Sequence, residues 1–60
     1  MAFVAKDKNG SEFIYGKRPC KGIDEWNANP FDVGISIPYG SIKKLIGREL
    51  SFDDEPVELT

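Results

Sequence analysis

Carboxylates are the residues of this 60-residue chain whose types and spacing come closest to a catalytic or metal-binding arrangement. Their densest run is Asp53-Asp54-Glu55. A divalent cation bound there would need further oxygen ligands in a fixed arrangement, and the spacing of a calcium-binding loop is missing. We therefore predict a solvated turn at this run, with no metal site.

The chain contains no histidine and a single cysteine, Cys20. The commonest general base and metal ligand is therefore missing, and neither a Cys–His nor a Ser–His pair can form. One cysteine builds neither a disulfide within the chain nor a zinc site, and no glycine-rich phosphate loop is present. These absences predict a protein that is not an enzyme and needs no cofactor.

A basic loop follows the first quarter of the chain. It runs from Gly16 to Gly22, is interrupted by proline, and carries Lys17, Arg18 and Lys21. These cations would suit an anion or an acidic partner, with Arg18 as the forked donor. The alternative is a solvated loop whose positive charges complement the acidic residues at the carboxyl end of the chain.

Trp26, the only tryptophan, lies just beyond that loop. We interpret it first as a core residue. In so small a domain, a tryptophan beside a polar loop is also a candidate hot spot for binding a partner.

Charge is distributed unevenly along the chain, although the net charge is only −2. From Met1 to Gly22, five basic residues stand against two acidic ones, whereas Glu49 to Thr60 carries five acidic residues and no basic one. We predict that the acidic end packs beside the basic beginning. This balance argues against nucleic acid as a partner, because phosphates usually select a basic surface.

The elements that must position these residues begin with a hairpin. Two apolar runs, Phe3–Ala5 and Phe13–Tyr15, flank the turn Asp7-Lys8-Asn9-Gly10. Asp first, Asn third and Gly fourth favour a type I turn closed by a glycine bulge, which sets Lys6 opposite Glu12. A two-residue turn would place like charges opposite each other, so we favour the bulged register.

This register separates two faces of the hairpin. The predicted core face carries the aromatic residues and Ala5, and the other face carries Val4 and Ile14 at its centre. Either a later segment of the chain covers Val4 and Ile14, or another molecule does, including a second copy in a homodimer.

Three further elements are predicted beyond the basic loop. Val33–Ile37 alternates as a strand, with Phe31, Val33, Ile35 and Ile37 pointing into the core. Ser41–Gly47 is a short helix with Ser41 as its N-cap and with Ile42, Leu45 and Ile46 facing the aromatic side of the sheet. Val57–Leu59 forms a final strand.

Two stretches near the carboxyl end, Gly40–Gly47 and Asp53–Leu59, give the chain a resemblance to short uncharacterised proteins from bacterial and prophage genomes. Those proteins open with a similar hairpin. The resemblance implies small size and a mobile-element setting, and it assigns no activity and no functional residue.

Together these features predict one small α+β domain over residues 1–60: an antiparallel sheet of three to four strands built on the hairpin, with one short helix packed on it. The lone cysteine and the lack of a signal peptide favour the cytoplasm, and no apolar run is long enough for a membrane span.

The predicted function is non-catalytic binding of a protein partner as an accessory, regulatory or inhibitory factor. The alternative is a small nucleic-acid-binding domain that uses Lys6, Lys17, Arg18 and Lys21 for phosphates and Tyr15 or Trp26 for stacking. For the protein partner, the candidate contact residues are Val4, Ile14, Lys17, Arg18, Lys21 and Trp26.

Overall fold

A four-stranded antiparallel sheet is the scaffold of the molecule. The computed structural model describes residues 1–60. Its elements in chain order are β1 (Ala2–Lys6), β2 (Glu12–Tyr15), β3 (Cys20–Lys21), β4 (Trp26–Asn27), β5 (Gly34–Ile37), α1 (Ser41–Ile46) and β6 (Val57–Leu59). The sheet order is β5-β2-β1-β6, and β3 and β4 form a separate two-stranded ribbon. The predicted α+β class is confirmed.

The β1–β2 hairpin closes as its turn residues predict. The Gly10 N–H donates to the Asp7 carbonyl at 2.9 Å, and the Asp7 N–H donates to the Ser11 carbonyl at 2.8 Å. Gly10 takes a φ of 94°, which a glycine adopts without strain. The resulting register sets Lys6 opposite Glu12 and Val4 opposite Ile14, so the bulged register is confirmed.

Two small cores lie on opposite faces of the sheet. On one face α1 packs through Ile42 against Val4 and Leu50, and on the other face Trp26 packs against Ala5 and Tyr15. The prediction that the helix covers the aromatic face is therefore wrong. The β3–β4 ribbon and Phe52 cover that face instead.

The Glu12 carboxylate accounts for the position of the helix. It projects from the same face of the sheet as Val4 and accepts hydrogen bonds from the first N–H groups of α1, at Gly40 and Ile42. The predicted N-cap was Ser41, but Ser41 is the first helical residue, and the N-cap position is held by Gly40, which has no capping side chain. Glu12 supplies the cap from a distant strand.

Strand β5 forms, but its predicted burial is wrong. Phe31 is 90% exposed, Val33 72% and Ile35 61%, and only Ile37 packs against the core. A six-residue helix is about 9 Å long, whereas four strands span about 14 Å, so α1 cannot cover this face of the sheet from edge to edge. Leu45, also predicted to face inward, is 52% exposed.

The carboxyl-terminal segment returns to the sheet through a turn at Ser51–Asp54 and pairs as β6 with β1. Leu50 is buried beside α1, and Val57 packs on the same core. The single helix, α1, is too short to cross a membrane.

Candidate functional site

The most distinctive surface of the molecule is an open apolar groove beside the edge strand β5. Its apolar side chains come from β1, β2, β5 and the segment that leads into β5: Ala2, Ile14, Phe31, Val33 and Ile35. We call this surface the β5 groove. Large apolar side chains gathered on one exposed surface are typical of a binding site, whereas single exposed ones are ordinary.

An ordered turn presents Phe31 to solvent. The Asp32 N–H donates to the Asn29 carbonyl at 2.8 Å, and the Phe31 N–H donates to the Asn29 side-chain oxygen at 3.1 Å. The Asp32 carboxylate in turn accepts from the Lys17 N–H at 2.8 Å. That hydrogen bond holds the pKa of the Asp32 carboxyl below its usual value. The turn is therefore tied to the loop after β2.

The first residue of β5, Gly34, lies directly against the Tyr15 ring. A Cβ atom on Gly34 would come within 2.5 Å of Tyr15 Cε2, so any larger residue would force the ring or the strand to shift. The ring is held on its far side, where the Tyr15 hydroxyl donates to the Trp26 carbonyl at 3.3 Å. Burial raises the pKa of this phenol to about 12, aided by the negative charges of Asp7 and Glu25, so the hydroxyl remains a donor at neutral pH.

The outer edge of β5 has no partner strand, because β5 pairs only with β2. Hydrogen-bonded and non-hydrogen-bonded residue pairs alternate along an antiparallel ladder. The hydrogen bond from the Asp7 N–H to the Ser11 carbonyl determines which pairs are of each kind, and the count continues from β1 through β2 to β5. The backbone groups of Gly34 and Ser36 consequently point away from the sheet. β5 carries no charge, lysine or proline to protect this edge, whereas β6 at the other edge carries Glu58.

A second constellation, buried between β2 and α1, is structural. Glu12 Oε1 accepts from the Ile42 N–H at 2.8 Å, and Oε2 accepts from the Gly40 N–H at 2.9 Å and lies 3.4 Å from Lys6 Nζ. Burial alone would raise the pKa of this carboxyl, but the two N–H groups and the Lys6 ammonium together hold it below its usual value. Every oxygen of the carboxylate is engaged, so the group is the cap of α1.

Val4 and Ile14, the apolar candidates for partner binding, have different positions. Val4 is fully buried beneath α1, which leaves no surface for a partner, so we withdraw it as a contact residue. Intramolecular covering, one of the two alternatives for this face, applies to Val4. Ile14 is only half-buried, and it lines the β5 groove while also touching the helical core.

The three cations of the basic loop remain at the surface, and two are paired with the acidic end of the chain. Arg18 Nη2 lies 2.6 Å from Glu55 Oε2, and Lys21 Nζ lies 3.9 Å from Asp53 Oδ1. The prediction that the acidic end packs beside the basic beginning is confirmed. Lys17 is exposed and contributes its backbone N–H to Asp32.

Trp26 is a core residue, only 8% exposed, with its ring centroid 6.1 Å from that of Phe52. Its indole N–H is buried without a hydrogen-bond partner. The Lys21 ammonium covers the outer side of this aromatic pair at 4.7 Å from the Phe52 centroid. The predicted contact residues thus lie in three separate places and do not converge on one site.

The groove residues that sequence reasoning missed are Phe31, Val33 and Ile35. Their alternation correctly predicts a strand, but the prediction that this face is buried is wrong because no later segment covers it. One signal was available: a chain with a single helix of fewer than two turns cannot cover one whole face of a four-stranded sheet.

Searches with this chain against models of protein families, curated proteins and solved structures find no match. Any function must therefore be inferred from the structure of the chain itself.

Proposed function

We propose that this chain is a non-catalytic protein-binding domain whose contact surface is the β5 groove together with the free edge of β5. The observation that carries the proposal is the exposure of Phe31, Val33 and Ile35 beside an uncharged, unpaired strand edge. A partner strand added to that edge would form backbone hydrogen bonds, and its apolar side chains would pack against Val33 and Ile35 at the rim of the groove.

The groove can supply a useful part of the binding free energy. Removing one large apolar side chain from water is worth roughly 1.5–3 kcal/mol, and three such side chains are largely exposed here. Association costs about 4–15 kcal/mol in lost freedom, so these side chains need the additional hydrogen bonds of the strand edge. Both contributions lie on the same side of the molecule.

The alternative, nucleic-acid binding, depends on cations that can approach phosphates. Three of the four basic residues assigned to that role face carboxylates: Lys6 faces Glu12, Arg18 faces Glu55 and Lys21 faces Asp53. Trp26, assigned to base stacking, is buried. These contacts favour the protein-binding proposal.

Acidic side chains also meet at the tip of the first hairpin, but their contacts there are structural. The Asp7 carboxylate accepts from the Trp26 N–H at 2.9 Å, and Asp24 lies 3.6 Å from Lys8 Nζ. Together with Glu25 they line a shallow depression without apolar walls. No substrate-binding cleft is needed to explain this cluster.

An affinity capture with two matched variants tests the proposal. We expect Ile35→Asp to reduce the recovery of partner proteins from lysate of the source cells by about tenfold or more, because it places a charge in the groove. Ile23→Asp makes the same change at a 91% exposed isoleucine outside the groove and should bind as the unmodified chain does. Bound proteins are compared by quantitative mass spectrometry.

Ile23→Asp alters a loop side chain that is 91% exposed and should retain its stability within about 0.5 kcal/mol. Ile35→Asp lies in a strand, where aspartate is disfavoured, and should lose about 1 kcal/mol while remaining folded. The captured protein should also survive nuclease treatment and high salt, since an apolar contact is not weakened by screening. Equal recovery with Ile35→Asp and Ile23→Asp would contradict the proposed surface. Loss of all partners on nuclease treatment would favour nucleic-acid binding.

A further inference from the structure

We infer that a second copy of the same chain occupies the free edge of β5 and the adjoining rim of the groove, at Val33 and Ile35. In the arrangement that we propose, two β5 strands pair antiparallel across a two-fold axis at Ile35, which joins two four-stranded sheets into one of eight strands. The inference rests on the proposed function, because it names the partner of the same surface.

The polarity of the segment Val33–Ile37 is symmetric about its centre. Apolar residues occupy positions 33, 35 and 37, and small residues, Gly34 and Ser36, lie between them. When two copies run antiparallel with Ile35 opposite Ile35, Val33 meets Ile37 of the second copy and Gly34 meets its Ser36. Every apolar side chain then faces an apolar side chain on one side of the new sheet.

The direction of the free backbone groups of β5 also suits this pairing. The outward-facing N–H and C=O groups belong to Gly34 and Ser36, which this register places opposite each other as hydrogen-bonded pairs. A two-fold interface requires the same patch to be complementary to itself, and β5 satisfies that condition without any charge. Strong repulsion between copies is also absent, since the chain carries a net charge of −2.

The opposite edge of the sheet would resist the same contact. In β6 the central residue is Glu58, so two β6 edges brought together would place like charges near each other. The association through β5 therefore closes at two copies and does not propagate into a fibre.

The size of the contact indicates a weak dimer. A standard interface buries about 800 Å² on each partner, which would be about a fifth of the 3990 Å² surface of this chain. One strand pair with the side chains of Val33 and Ile35 falls below that area. We expect a dissociation constant on the order of micromolar or weaker.

Disulfide trapping tests the register directly. In a Cys20→Ser background, which removes the exposed native thiol, Ile35→Cys should form a covalent dimer in a glutathione redox buffer. Directly opposite residues in a non-hydrogen-bonded pair have the Cα separation that a disulfide needs. The Val33→Cys chain by itself should give about tenfold less dimer, because position 33 faces Ile37 of the second copy, although Val33 is even more exposed than Ile35.

An equimolar mixture of the Val33→Cys chain with an Ile37→Cys chain should restore dimer formation. Equal trapping by Ile35→Cys and Val33→Cys alone would overturn the register, and a single monomeric species in sedimentation equilibrium of the unmodified chain up to millimolar concentration would overturn the dimer. Failure of the dimer is distinguishable from failure of the proposed function: the affinity capture would then still show a different protein lost with Ile35→Asp and kept with Ile23→Asp.

Discussion

Replacing Glu12 by alanine is expected to unfold much of the protein population at room temperature. The carboxylate is only 1% exposed, and it satisfies the Gly40 and Ile42 N–H groups and the Lys6 ammonium at once. Removing it leaves all three without a partner where little water reaches them. Breaking a buried ion pair by deleting one partner costs about 3–5 kcal/mol, which is similar to the whole stability of a domain this small. Chemical denaturation followed by tryptophan fluorescence measures the loss.

Glu12→Gln is the matched control, because it keeps one acceptor oxygen and loses the charge. We expect it to fold with a stability about 1–3 kcal/mol below that of the unmodified chain. Since the folded-state pKa of Glu12 is lowered, the charge contributes its full stability above the ordinary glutamate pKa and loses it as the pH falls through the folded-state value. The difference between the two proteins should therefore shrink in acid. A constant difference across that pH range, or a stable Glu12→Ala variant, would contradict the capping role.

Replacing Gly34 by alanine is expected to destabilise the fold by about 1–3 kcal/mol, a large effect for one added methyl group. The new Cβ would lie 2.5 Å from Tyr15 Cε2 and 3.1 Å from Cδ2. The ring cannot move away easily, because it is 97% buried and its hydroxyl is bonded to the Trp26 carbonyl. Thermal unfolding followed by circular dichroism measures the change.

Ser36→Ala provides the comparison on the same strand and the same face of the sheet. Ser36 is exposed, so this substitution should change the stability by no more than about 0.5 kcal/mol. If Gly34→Ala and Ser36→Ala behaved alike, the contact between Gly34 and Tyr15 would not be rigid.

Local interactions made the first hairpin predictable from the sequence. The residue types at Asp7, Asn9 and Gly10 select one turn, and the charges of Lys6 and Glu12 exclude the competing register. All of this information lies within about a dozen consecutive residues. The packing of the acidic end beside the basic beginning was also predictable, because opposite charges attract over a distance, and Arg18 with Glu55 is one of the pairs that form there.

The face on which the helix packs was not predictable from local pattern. The apolar face of α1 could pack against either side of the sheet, and the hydrogen bonds from α1 to Glu12 place it on one of them. Strand periodicity predicts only the side of the sheet on which Glu12 lies. A carboxylate that accepts hydrogen bonds from residues 28 and 30 positions away leaves no local sequence signal. Trp26 and Phe52 then fill the opposite face.

The β5 groove exists because period-two alternation indicates which residues share a face and says nothing about whether that face is covered. Phe31, Val33 and Ile35 share one face as predicted, but β5 is an edge strand that α1 does not cover. Only the sheet order places this strand at the edge, and that order depends on long-range pairing with β2. The surface that we propose for binding therefore lies within residues that the sequence pattern assigns to the core.

Site-specific photo-cross-linking tests the central claim most directly. Benzoylphenylalanine replaces Phe31 in the groove in one protein, and in the control it replaces Ile23, which is 91% exposed and lies outside the groove. We predict that the probe at position 31 becomes covalently attached to a protein, either a second copy or another chain, and that the probe at position 23 does not. Equal cross-linking at the two positions, or cross-linking at position 23 alone, would contradict the assignment of the β5 groove as the binding surface.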